Sequence, residues 1–313
     1  MSVQTLEVRF PSDDMHCAAT LYLPPEAGTP APGLVMGNGF ANVRQMYLPE
    51  YAHAFAAAGF AALAIDYRFL GESDGEPRQQ VLPESQCDDL RNALSWLSQR
   101  PEVDSERLGL WGTSFAGGHA LRIAEYDRRV KTVVAQVPAI GLWRYLRRSE
   151  PAVREAFLAK ALADRLDFAR TGQPRMLAIT GPDSTESILG ASGFDWHRRN
   201  EQRHPTFQNA IAAHSLDRIV AYDPGAFVED ISPTPLLMIL ADDDTTTPSD
   251  IARSVFDRAG EPKNLMEFAG GHYDVYDDEL AKQECIAVAT DFLLAHLHGP
   301  RAPGNGRNLR GCC

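Results

Sequence analysis

Cysteine is scarce. Only Cys17, Cys87, Cys285, Cys312 and Cys313 occur, odd in number and scattered along 313 residues. That excludes a disulfide framework as the basis of the fold and suits a reducing, cytoplasmic compartment. Long apolar runs are missing too. No stretch of about 18 apolar residues occurs, so no membrane-spanning helix is expected. The opening MSVQTLEVRFPSDD has neither a basic stretch nor an apolar centre, so no secretory leader is expected. Cations are in deficit: 30 Lys and Arg face 42 Asp and Glu, a formal net charge of −12. Nucleic acid and anionic membranes both require clustered cations, so neither is an expected partner.

What remains is a globular composition, 44% apolar and 23% charged. The length fits one large α/β domain, or one with an inserted cap. The last residues, 299–313, are rich in Gly, Pro, Arg and Asn and read as a disordered tail. A terminal Cys-Cys is a lipidation site in some proteins, but here it stands without any other membrane signal.

Short apolar runs alternate with helical patterns. Val3 to Phe10 and Cys17 to Leu23 read as an opening antiparallel pair. Further strands are expected at Gly33–Gly37, Ala61–Asp66, Leu108–Gly112, Lys131–Val137, Pro235–Ala241 and Asn264–Ala269. Between them, Tyr47, Tyr51, Phe55 and Ala56 share one helical face, and Cys87, Leu90, Leu94 and Leu97 form an amphipathic stripe. Helices are also expected at Phe115–Tyr126 and Asp278–Leu297. The alternation implies a mainly parallel sheet with helices on both faces. Residues 139–232 break the rhythm with aromatics, charges and no strand pattern. Too long for a loop, they read as a helical cap inserted between 1–138 and 233–298.

The chemistry centres on Gly112-Thr113-Ser114-Phe115-Ala116-Gly117-Gly118, which follows an apolar run and precedes a helix. A nucleophilic serine at a sharp strand-to-helix turn needs small neighbours. Gly112 and Ala116 supply them, although Ala stands where Gly is usual. The string alone fits a helix-start turn with an N-cap serine equally well. Strand before and helix after favour the nucleophile.

With that context the chain resembles an α/β-hydrolase from about Leu23 to Leu297. The resemblance implies an eight-stranded, mainly parallel α/β sheet and the chain order Ser, acid, His. The acid falls in Ala241-Asp242-Asp243-Asp244-Thr245-Thr246-Thr247-Pro248. The family's Asp stands four residues before a Pro, which selects Asp244 over its rivals Asp242 and Asp243. The His falls in Gly270-Gly271-His272. The implied oxyanion donors are the backbone N–H groups of Phe115 and, in Gly37-Asn38-Gly39-Phe40, of Phe40. Asn38 there replaces the more usual His. Asp66 through Gly75 reads as a structural turn, Asp66 holding it and Gly71 and Gly75 supplying unusual backbone angles.

Finer likeness, in Asn38-Gly39-Phe40, Gly71-Glu72-Ser73-Asp74-Gly75 and Gly271-His272-Tyr273-Asp274-Val275-Tyr276, points to one branch. It holds dienelactone-hydrolase-like, Xaa-Pro-dipeptidyl-peptidase-like and fungal polyketide acyl transferase proteins. The implied function is hydrolysis of an ester, thioester or amide of a hydrophobic acyl group through acyl-Ser114. Acyl transfer from the same intermediate is the alternative, and a non-catalytic binding protein the third reading. The partner is a small acyl substrate, and a homodimer is allowed. Trp143, Tyr145 and Trp196 are the aromatics assigned to its pocket, although core packing is the plainer account of aromatics in that segment. No cofactor or metal is expected: P-loop, dinucleotide and zinc-ligand spacings are all missing.

Overall fold

The computed structural model describes residues 2–25, 30–182 and 187–298. The tail at 299–313, with Cys312 and Cys313, lies outside them. Eight strands form one sheet in the order β1-β2-β4-β3-β5-β6-β9-β10. They are β1 (Gln4–Ser12), β2 (Met15–Leu23), β3 (Ala31–Gly37), β4 (Ala61–Ile65), β5 (Val103–Thr113), β6 (Val130–Gln136), β9 (Leu236–Ala241) and β10 (Lys263–Phe268). β1 pairs antiparallel with β2, and β2 with β4. All later pairings are parallel.

Both faces of the sheet are covered, which is why its central strands read as unbroken apolar runs. On one face lie α1 (Leu48–Ala57) and α10 (Glu279–Leu297); on the other α2 (Pro83–Ser98), α3 (Phe115–Ala124) and α8 (Ser249–Arg258). Along β3, Leu34 and Met36 enter the first core and Val35 the second, the two-residue alternation of a strand. The α2 stripe of Cys87, Leu90, Leu94 and Leu97 is buried against the sheet. Asp278 caps α10, its carboxylate accepting the Ala281 amide at 2.9 Å.

Residues 139–232 leave the sheet after β6 and return before β9. They carry α4 (Leu142–Leu146), α5 (Pro151–Thr171), β7 (Met176–Ala178), α6 (Phe194–Arg203), β8 (Ala210–Ala212) and α7 (Ser215–Ala221). The expectation of no strand here is corrected: β7 and β8 pair antiparallel as a two-stranded sheet. Three-residue strands are too short to show a period. Strand β5 likewise begins five residues before its apolar run. Val103 and Asp104 pair with Ala31 and Pro32, ahead of a register shift that precedes Gly33 and Leu108. Among the described residues no helix is long and apolar enough to cross a membrane.

The Asp66 turn behaves as its sequence suggests. The buried carboxylate of Asp66 accepts the Arg44 amide at 2.7 Å and the Glu72 amide at 3.1 Å, and pairs with the Arg44 guanidinium. Gly71 sits at φ +54, where a Cβ would lie 2.4 Å from the Asp66 carboxylate.

Candidate active site

Ser114 occupies the turn between β5 and α3 with φ +55 and ψ −117. This left-handed conformation costs a side-chain-bearing residue roughly 1–3 kcal/mol and persists only where neighbours enforce it. Here they do. The Ser114 amide donates to the Gln136 carbonyl at 2.8 Å, and the Ser114 carbonyl accepts from Ala139 at 2.9 Å. A Cβ on Gly112 would fall 2.1 Å from the Ala116 carbonyl, so only glycine fits there. Ala116 is accommodated because Gly37 faces it: a Cβ on Gly37 would lie 2.8 Å from the Ala116 methyl.

Three loops bring the sequence-assigned trio together. His272, between β10 and α9 (Asp274–Asp277), has Nε2 3.0 Å from Ser114 Oγ and Nδ1 2.7 Å from Asp244 Oδ2. All three residues are buried. Asp244 is held from four sides. Its Oδ1 accepts the amides of Thr246 and Thr247 at 2.9 and 2.7 Å, and its Oδ2 accepts the Thr247 hydroxyl at 2.9 Å as well as His272. The rivals stand elsewhere: Asp243 is exposed, and the exposed Asp242 accepts the Gly270 amide at 2.9 Å. Thr247, which bonds Asp244, had no signal of its own in the sequence.

The oxyanion candidates also converge. Phe40 and Phe115 meet edge to face with ring centroids 5.3 Å apart, and both line the cavity that holds Ser114. Among the described residues neither backbone amide has an acceptor. Behind them runs a polar chain that the sequence did not reveal. Tyr47 Oη accepts the Gly39 amide at 2.7 Å, the Tyr47 and Tyr276 rings stack at 4.1 Å, and Tyr276 Oη lies 2.7 Å from Thr113 Oγ1. Burial pushes the Tyr47 phenol up to about 12, so it stays neutral.

The cavity has a volume of about 620 Å³. Its walls are mostly aliphatic and aromatic: Ile140, Leu142, Phe157, Leu189, Ile219 and Tyr222 contribute, with Ser192 and Thr245 to Thr247 near the acid loop. Of the three aromatics assigned to substrate, Tyr145 lines it. Trp143 and Trp196 do not. Trp143 is 42% exposed, and Trp196 is buried among Tyr47, Tyr273 and Tyr276 behind the His272 loop. His119 packs against the Phe115 ring, donor or acceptor to Tyr222 Oη at 2.8 Å and Gln86 Oε1 at 2.9 Å. Burial lowers its pKa to about 3, so the ring is neutral.

Known proteins share this architecture. The quorum-quenching protein AidA of Acinetobacter baumannii (strain MDR-ZJ06) is 30% identical over 92% of this chain and 94% of its own. A thiohydrolase of Eupenicillium brefeldianum is 29% identical over 88% of each chain. The crystal structure of α/β hydrolase GrgF from Penicillium sp. sh18 superposes with a TM-score of 0.82 at 26% identity, covering 95% of this chain and 100% of that one; GrgF of Penicillium is named a polyketide transferase. The profile of the X-Pro dipeptidyl-peptidase (S15) family matches residues 13–221. The chain therefore belongs to the X-Pro dipeptidyl-peptidase (S15) family within the α/β-hydrolase superfamily, and it is an enzyme of hydrolase or acyltransferase type.

Proposed function

We propose that this enzyme cleaves an ester or thioester of a hydrophobic acyl group through an acyl-Ser114 intermediate. The observation that carries the reading is the Ser114–His272–Asp244 alignment, 3.0 and 2.7 Å, opening into an apolar cavity. A serine hydroxyl is a weak nucleophile at neutral pH. His272 Nε2 takes its proton as Oγ bonds to the acyl carbon. Asp244, on the other nitrogen, fixes the tautomer and stabilises the imidazolium. The carbonyl oxygen becomes an oxyanion facing the Phe40 and Phe115 amides. As the tetrahedral species collapses, the alcohol or thiol leaves with the proton from His272. Water then repeats the sequence in reverse and frees the acid. An amide substrate would follow the same course with an amine leaving.

Residues 139–232 act as the cap in this reading, since they supply most of the cavity wall. The described cysteines, Cys17, Cys87 and Cys285, are free and buried, which suits a reducing, cytoplasmic setting.

The second reading is acyl transfer, favoured by the name of the relative GrgF, a polyketide transferase. It uses the same acyl-enzyme, with an alcohol or amine in place of water. Intact-mass spectrometry after a fluorophosphonate probe, on wild type and Ser114→Ala, tests the shared step. One adduct on wild type alone is expected, together with turnover of p-nitrophenyl esters lost in the variant. Absence of an adduct on wild type would overturn the mechanism. Product analysis with an added alcohol or amine then separates hydrolysis from transfer.

A further inference from the structure

We infer that the substrate carries an anionic group, carboxylate or phosphate, and that Lys160 receives it. The inference rests on the acyl-Ser114 reading and names its substrate class. Lys160 is the single charged side chain among the described residues that line the Ser114 cavity; the rest are aliphatic, aromatic, hydroxyl-bearing or glycine. It stands on α5 between Phe157, one turn away, and Ala161, whose side chains line the same wall. No carboxylate pairs with it among the described residues. Other cations of the same segment, Arg144, Arg165 and Arg175 among them, are held in ion pairs and do not line the cavity.

An ammonium at the edge of an apolar cavity attracts an anion and leaves the aliphatic part of the same molecule to the walls. Its head is exposed, so the pair would be screened rather than buried. The matching substrate is amphiphilic: an apolar acyl chain whose reacting carbonyl lies at Ser114 and whose anion lies at Lys160. That anion sits at the far end of the acyl chain, as in a dicarboxylic monoester, or on the leaving group, as in a phosphorylated pantetheine thioester.

The two sources are separated by paired substrates. On the acyl side, monomethyl esters of succinate, adipate, suberate and sebacate are compared with the neutral dimethyl esters. On the leaving-group side, octanoyl-coenzyme A is compared with neutral octanoyl-N-acetylcysteamine. Each pair is measured as kcat/KM in wild type, Lys160→Ala, Lys160→Glu and Lys160→Arg, at low and high salt. In one arm wild type should favour the anionic member by about fivefold at low salt, less at high salt. Lys160→Ala should abolish that preference, Lys160→Glu invert it and Lys160→Arg keep it, each read as the ratio of kcat/KM for the anionic member to that for the neutral member. Equal preference in wild type and Lys160→Glu in both arms would overturn the inference. Calorimetric binding of the same pairs to Ser114→Ala asks the question without turnover. Failure of the acyl-Ser114 reading would show separately, as neutral-ester turnover surviving in Ser114→Ala.

Discussion

The phenolic oxygen of Tyr47 accepts the Gly39 amide at 2.7 Å, one residue before the Phe40 amide proposed to face the oxyanion. The same oxygen accepts from Asn42 Nδ2 at 3.3 Å, and the ring stacks on Tyr276, whose hydroxyl meets Thr113 beside Ser114. The Gly39–Phe40 loop and the Ser114 turn are thus tied together from behind. Tyr47→Phe keeps the ring and removes the tie. The Gly39 amide then loses its acceptor, and the Phe40 amide next to it is held less firmly where charge develops in the transition state. A drop of about tenfold in kcat with KM unchanged is expected in steady-state assays. An equal rise in KM would show instead that Tyr47 merely shapes the cavity.

Asp244 is distinguished from its neighbours by what it touches. Replacement of Asp244 by Asn would leave the fold intact, since the Thr246 and Thr247 amides still find an oxygen, but would offer His272 the wrong partner. Loss of roughly 10³–10⁴ in kcat is expected. Asp243→Asn should be silent, and Asp242→Asn should cost well under tenfold through the Gly270 amide that it holds. Comparable losses at Asp242 and Asp244 would mean that the acid has been misassigned.

How far the sequence reaches is clear at these positions. The order Ser114, Asp244, His272 and the strand before each were legible because buried parallel strands are continuous apolar runs and the turn after each has its own residues. The choice among three adjacent aspartates needed family likeness, since composition alone treats them alike. Tyr47 was legible only as a core position at the entry to α1. Its polar task depends on Gly39, Tyr276 and Thr113, three elements that meet only after folding. The start of β5 was hidden for a different reason: after Val103 and Asp104 the pairing skips the polar Ser105, Glu106 and Arg107 and resumes at Leu108, so no continuous apolar run marks it.

Acid should destabilise the protein through two histidines remote from Ser114 in role. Burial lowers His119 to about 3 and His197 to about 4, from an ordinary value of 6.5. Both rings are neutral in the folded chain and regain the ordinary value on unfolding. Below pH 6.5 the unfolded chain therefore binds more protons. Their contribution is fully present above pH 6.5 and is lost as pH falls toward 4 and then 3. Calorimetry across that window should show Tm falling. In His119→Gln, which starts from a lower Tm, the decline should be shallower. An unchanged slope would assign the acid sensitivity to other groups.

The three aromatics that the sequence assigned to substrate, Trp143, Tyr145 and Trp196, offer the sharpest contrast between composition and position. Tyr145 lines the cavity while half exposed, so substrate would cover its free face. Tyr145→Ala should raise KM for medium-chain esters about fivefold, equivalent to roughly 1 kcal/mol of apolar contact, with Tm little changed. Trp143 stands outside the cavity and exposed; Trp143→Ala should alter neither KM nor Tm. Trp196 is buried against Tyr47, Tyr273 and Tyr276, so Trp196→Ala opens a void behind His272. A loss of about 3–5 kcal/mol in unfolding free energy is expected, read by denaturant titration. Because Trp196 supports the Tyr47 ring and the His272 loop rather than the substrate, kcat should fall in whatever enzyme remains folded. KM for esters of different chain length should move little. A selective rise in KM with chain length in Trp196→Ala would place that indole against the acyl group after all.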